Sequence, residues 1–126
     1  MRIVLGIAIA GFLGTITRYE IGLLFPQSTS PLSFPWATLF INLSGTLMLG
    51  YLFGRLSRLR MPEWVGEVVG TGFIGSYTTF SAFNGQLWEL LEHHAYVYSA
   101  AYVLLSGVGG WLLAVAGLAW GRGKPS

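Results

Sequence analysis

The 126-residue chain contains no cysteine, which excludes disulfide scaffolds and thiolate metal centres. Charge is nearly as scarce, at 10% of residues against about 25% in an ordinary soluble domain. Hydrophobic residues make up 53%, and the mean hydropathy is +0.61. A chain so composed lacks the polar surface that a soluble domain of this length needs. Its 7 Lys and Arg residues are too sparse for a folded nucleic-acid-binding face, so no nucleic-acid partner is expected. No P-loop pattern is present, and no polar module is large enough for a soluble catalytic site, so no enzyme is expected. What remains is a lipid-bilayer protein.

The opening MRIVLGIAIAGFLGT has the single basic residue and apolar core of a signal peptide. Its apolar run continues toward Phe25 without a clear cleavage site, which points instead to a retained first span. About 20 mostly apolar residues cross a bilayer core. Four segments qualify, at about 3–25, 34–56, 64–91 and 95–120, predicting one four-span transmembrane domain over residues 1–126. Between them, PQSTSPLSFP (26–35), RLSRLRMPE (55–63) and EHHA (92–95) read as connections, and GRGKPS as a short tail. Trp36, Trp64, Trp88 and Trp120 fall near span ends, where the interface favours them. The 18 glycines are read mainly as helix-packing notches, since small residues supply the close approach that helices in lipid need.

Basic residues are one-sided. Four spans put Arg2, Arg55, Arg58, Arg60, Arg122 and Lys124 on the side of the termini, which the positive-inside rule makes cytoplasmic. Arg18 is the remaining basic residue, in the second half of the first span, where it either snorkels or serves an aqueous vestibule. Asn42, inside FINLSG, must find partners for an amide in lipid; it either glues two helices together or faces a polar pathway.

The densest polar cluster lies in the middle of the third segment. In GSYTTFSAF (75–83), five of nine residues carry hydroxyls. Consecutive Tyr-Thr-Thr is poor helix material, and Gly70, Gly72 and Gly75 loosen the turns before it. This predicts a broken helix, with one half before residue 75 and another after Thr79. Irregular backbone at membrane depth lines a cavity or is buried in protein, and its freed carbonyls suit cations. A hydroxyl-rich helix bonding to its own backbone is the alternative. Phe80 and Phe83 share a helix face, either as core packing or as electropositive ring edges aimed at an anion. Tyr102 and Ser106, four apart, offer a possible hydroxyl row on the fourth span.

GFLGTITRY (11–19), INLSG (41–45) and GFIGSYTTFSAF (72–83), with their order and the four-span length, resemble the Fluc/CrcB family of microbial fluoride channels. The resemblance covers essentially the whole chain. It implies an all-α membrane protein with a third helix broken at its centre, assembling as an antiparallel dimer with two fluoride pores. It also implies a structural sodium ion at the dimer interface, held by backbone carbonyls that fall here at Gly75 and Thr78. Asn42, Phe80, Phe83, Thr79, Ser81, Tyr102 and Ser106 would line the fluoride path, and Arg18 matches the basic residue closing the first motif. The implied role is passive export across the plasma or inner membrane of fluoride trapped in the cytoplasm. Ala82, Gln86 and Gly110 depart from the family pattern and change the polar lining rather than the break.

The basic bias fits dual insertion poorly. A homodimer is the default partner, and an oppositely oriented homologous subunit is the alternative. Two functional rivals share the composition. A small four-span proton-coupled multidrug or cation exporter would need an acid at the centre of the first span, and Glu20 comes too late. A membrane scaffold would use its polar groups only to hold helices together.

Overall fold

A computed structural model describes residues 1–25 and 33–123 of the chain; the predicted loop from Pro26 through residue 32, with Ser28, and the tail from Lys124 lie outside the described residues. Among the described residues the fold is helical and contains no strand. Helix α1 covers Arg2–Leu23 and α2 covers Trp36–Leu59. The third span comes in pieces: α3 (Glu63–Val65), a π-helical stretch (Gly66–Ile74), α4 (Gly75–Tyr77) and, beyond a break, α5 (Phe80–Glu92). Helix α6, Tyr96–Arg122, completes the set. Helices α1, α2 and α6 are each long and apolar enough to cross a membrane unaided. The third segment runs from Glu63 to Glu92 only by joining two halves.

The turns follow from their residues. Helix α2 ends with Arg60 in the left-handed region (φ 50°), where Met61 N–H donates to the Leu56 carbonyl at 3.3 Å. Pro62 then prevents the helix from resuming in register. Before α6, His94 is also left-handed (φ 58°), and Ala95 N–H reaches back to the Leu90 carbonyl at 2.9 Å. Trp36, Trp64, Trp88 and Trp120 are all exposed, as side chains at a membrane–water belt should be.

Helices α2 and α6 meet along a backbone-to-backbone seam. Gly50 and Gly54 on α2 face α6, while Gly117 and Gly121 on α6 face α2. A methyl group on Gly50 would sit 2.6 Å from the Ala114 carbonyl oxygen, and one on Gly54 2.7 Å from the Arg122 nitrogen. On the other flank, Gly72 packs on Ala10 and Ile7 of α1, and Gly14 lies against the Phe73 carbonyl. The notch reading therefore holds for these glycines. At Gly22, Gly85, Gly107 and Gly110 no neighbour from the described residues of the same chain lies within 4 Å of such a methyl group.

One end of the bundle gathers the arginines. The Arg58 guanidinium lies against Gly123, joining the ends of α2 and α6, and Gly6 packs on Val68 to bring the start of α1 to the same end. Arg55 Nε donates to the Tyr51 hydroxyl at 3.0 Å, and the Tyr51 ring packs on Trp120 at 4.6 Å between centroids.

Candidate functional site

The loosening of the third segment begins with Gly66, Gly70 and Gly72, which lie in the nine-residue π-helical stretch. A π-helix bonds five residues back rather than four and is rare beyond a single turn. The helix does not fail at residue 75 as the sequence predicts. It continues as α4 through Tyr77, because that side chain is anchored: its ring is 2% exposed and stacks on Phe73, with centroids 6.3 Å apart. The Ser44 hydroxyl donates to the Ile41 carbonyl at 3.0 Å, so the Tyr77 hydroxyl, 2.9 Å away, donates to Ser44.

The break itself is two threonines. Thr78 (φ −80°, ψ 158°) and Thr79 (φ −146°, ψ 116°) are extended, the region β-branched side chains favour. Extended backbone at mid-span exposes polar groups that lipid cannot satisfy. Asn42 of α2 satisfies both groups of Thr79: its Oδ1 accepts from the Thr79 N–H at 2.8 Å, and its Nδ2 donates to the Thr79 carbonyl at 2.9 Å. The Thr79 hydroxyl caps α5 by accepting from Ala82 N–H at 3.2 Å, and it lies 3.3 Å from the Ser81 hydroxyl. Gly45 leaves room for the Thr78 methyl group. The motif INLSG thus fits SYTT residue by residue: Asn42 to Thr79, Ser44 to Tyr77, Gly45 to Thr78.

Two cavities flank the break. One, of about 270 Å³, is lined by Asn42, Gly75, Thr78, Thr79 and Phe80 with parts of α2 and the π-helical stretch. The other, of about 480 Å³, brings Arg18 of α1 together with Thr38, Thr79 and Ser81. Thr79 contributes to both. Beyond the break, the Phe80 and Phe83 rings lie nearly parallel, 6.0 Å apart, and Phe83 packs on Tyr102 at 4.8 Å.

A profile described as CrcB-like protein, Camphor Resistance (CrcB), matches residues 5–118. The chain belongs to the CrcB family. It is 39% identical over 116 residues to "Fluoride-specific ion channel FluC 2" of Geobacillus kaustophilus, covering 91% of this chain and 89% of that protein. It is 41% identical over 122 residues to "Fluoride-specific ion channel FluC" of Rhizobium meliloti, covering 94% and 95% respectively. A third relative, "Fluoride-specific ion channel FluC 1" of Bacillus cereus (strain ATCC 14579), is 40% identical over 116 residues, covering 91% and 80%. Family membership and the apolar helices make this a multi-pass membrane protein, and the relatives are named as channels, not enzymes.

In this CrcB chain the break assembles most of the residues singled out in the sequence. Asn42, Gly75, Thr78, Thr79 and Phe80 share one cavity, and Arg18, Thr79 and Ser81 share the next. Phe83 and Tyr102 touch, but Tyr102 is fully buried in a core cluster with Leu39 and Leu90. Ser106, one turn further along α6, lines neither cavity. Its hydroxyl oxygen is buried and, among the described residues, has no hydrogen-bond partner. Glu20 is exposed and lines neither cavity, which weighs against the proton-coupled rival.

Two partners were not singled out as site residues from the sequence. Tyr77 belongs to the polar cluster, but its role as anchor depends on Ser44, 33 positions away. Gln86 accepts from the Tyr102 hydroxyl at 2.9 Å through Oε1, so this departure from the family pattern is a working hydrogen bond. Its signal was available: Phe80, Phe83 and Gln86 recur every three residues along α5.

The sodium ion that the resemblance implies would need free oxygen donors at Gly75 and Thr78. Thr79 N–H is taken by Asn42, and no hydrogen bond among the described residues reaches the carbonyls of Gly75 or Thr78. Both residues line the same cavity, which has no carboxylate or basic side chain in its wall. Neutral oxygen donors of this kind fit a hard monovalent cation better than a soft metal.

Proposed function

We propose that this CrcB chain forms a passive fluoride-selective channel through which fluoride leaves the cytoplasm; its relatives are named fluoride-specific ion channels. The observation that carries this reading is the break. In mid-membrane, two extended threonines, the Asn42 amide and the Phe80 ring gather around a cavity, with the Phe83 ring stacked on Phe80.

Fluoride is small and hard, so a narrow path must replace the hydration it gives up. The donors required are at hand in this chain. The Asn42 amide has two N–H donors and spends one on Thr79, leaving the other. Thr79 and Ser81 offer hydroxyls, and the buried Ser106 hydroxyl has no competing acceptor among the described residues. Ring edges carry positive potential, so Phe80 and Phe83 turned edge-on would favour an anion. Tyr102 supports Phe83 from behind through its packing and its bond to Gln86. Arg18, half-buried in the second cavity, raises the local anion concentration there.

Gly75 and Thr78 would hold the structural sodium through their main-chain carbonyls, and the ion would supply fixed positive charge at the break. Gly75 and Phe80 are exposed although they border a cavity that holds the extended main chain of the break and the Asn42 amide. Lipid is a poor cover for such a cavity, so a second subunit is the natural lid. The family resemblance would make that subunit antiparallel to the first, with two pores in the dimer. The gathering of Arg2, Arg55, Arg58, Arg60 and Arg122 at one end favours a second version of it, in which an oppositely oriented homologous subunit replaces the identical copy. Cysteine introduced at Ser57 and labelled from each side decides between them: labelling from both sides supports the homodimer, and labelling from one side the paired subunit.

The channel reading is tested with purified protein in liposomes and a fluoride electrode. Fast, proton-independent fluoride efflux is expected. Background efflux, or proton-coupled cation uptake, would overturn it.

A further inference from the structure

We propose that Asn42 is a positioning residue: it fixes the geometry of the third-span break by clamping the main chain of Thr79, and so determines which carbonyls remain free for the cation. The inference rests on the reading of that cavity as a cation site and extends it to the α2 side chain beside it.

The geometry is that of a short strand pairing made by one side chain. Oδ1 takes the Thr79 N–H at 2.8 Å and Nδ2 gives to the Thr79 carbonyl at 2.9 Å, so the amide acts as a surrogate peptide. The main chain dictates the orientation of the amide, since only one arrangement of O and N matches a donor and an acceptor. The Thr79 carbonyl, as N-cap, would ordinarily accept the first bond of α5. Here Asn42 supplies its donor and withholds it from the cavity.

Two further contacts hold the clamp in place. Thr46 Oγ1 donates to the Asn42 carbonyl at 2.8 Å, pinning the main chain one turn along. Ser44 holds Tyr77, the last helical residue before the break. Asn42 and Ser44 therefore grip the two sides of Thr78 from a single rigid helix. The consequence is a division of labour among carbonyls: Thr79 is bonded, while Gly75 and Thr78, which border the same cavity, accept no hydrogen bond from the described residues.

This differs from a role as pore donor alone. A pore donor can be lost without altering the backbone it faces, whereas a clamp cannot. Asn42→Ser is too short to reach both groups of Thr79, and Asn42→Leu keeps the size but removes the polarity. Either variant serves if the other fails to fold, with size-exclusion chromatography checking assembly.

The experiment uses the full chain in detergent, with hydrogen exchange of residues 75–83 as first readout. The second readout is the thermal midpoint in sodium against N-methylglucamine at constant chloride. Expected in the Asn42 variants are exchange faster by about tenfold or more, the size of a lost buried hydrogen-bond pair, and loss of the sodium-dependent midpoint shift. Phe80→Ile, a path residue outside the clamp, should lose fluoride flux while keeping both readouts. Unchanged exchange at 75–83 would overturn the clamp. Faster exchange with an intact sodium shift would overturn the claim that the clamp determines the ligands. A wild-type midpoint indifferent to sodium would instead overturn the cation reading beneath it, a failure separate from that of the clamp.

Discussion

Helix α2 serves two neighbours in opposite ways. Toward α6 it offers Gly50 and Gly54, where the two helices touch main chain to main chain. Toward the third span it offers Asn42 and Ser44, whose polar atoms reach out to a backbone that has left the helix. The first contact works only if nothing protrudes, the second only if the right group does. The seam is thus built for closeness and the break for chemistry, and damage to each should look different.

The largest effect is expected at the seam. Gly50→Val or Gly117→Val would push a side chain into carbonyl oxygens and amide nitrogens that have no freedom to move aside. Overpacking of this kind costs about 1–3 kcal/mol and sometimes more. Folded protein recovered from detergent should drop sharply, and fluoride flux with it. Intact folding with lost flux would erase the contrast between the two regions.

Next comes the break. Phe80→Ile and Phe83→Ile should take flux to the level of empty liposomes while assembly and melting stay near wild type. Flux that survives in both would separate the rings from the path. An effect on both properties is expected at Gly45, where an alanine methyl group meets the methyl group of Thr78, a β-branched side chain whose hydroxyl is bonded to the Ile74 carbonyl. Gly45→Ala should cut flux severalfold and lower the melting midpoint, measured on the same preparation. The smallest is Gly85→Ala, at an open position on α5, where exchanging glycine for alanine within a helix gains up to about 1 kcal/mol. A slightly raised melting midpoint is expected. A lowered one would mean that a second subunit covers that face.

Much of this was legible in the chain. Helix ends follow proline, glycine and polar clusters closely: the expected second span at 34–56 became Trp36–Leu59, and the expected fourth at 95–120 became Tyr96–Arg122. The break could be read because two adjacent β-branched residues follow a glycine-rich run, both local signals. Its edge was misplaced by three residues, since α4 carries the helix through Tyr77, which Ser44 holds, and no local pattern announces a bond across 33 positions. Asn42 was conspicuous as an amide in an apolar run, yet its partner is the main chain of Thr79, and main-chain partners leave no trace in side-chain spelling. Nor could composition sort the glycines of the seam from Gly22, Gly107 and Gly110, which look alike in sequence and differ only in what faces them.

The π-helical stretch stores slack in the third segment. A π-turn holds more residues than the roughly 3.6 of an α-turn, so the stretch from Gly66 to Ile74 takes up length that an α-helix of the same span would not. Removing one of its outward-facing positions and letting the remainder tighten to α should therefore be tolerated better than removing one from α2, where every later side chain would turn by about 100°.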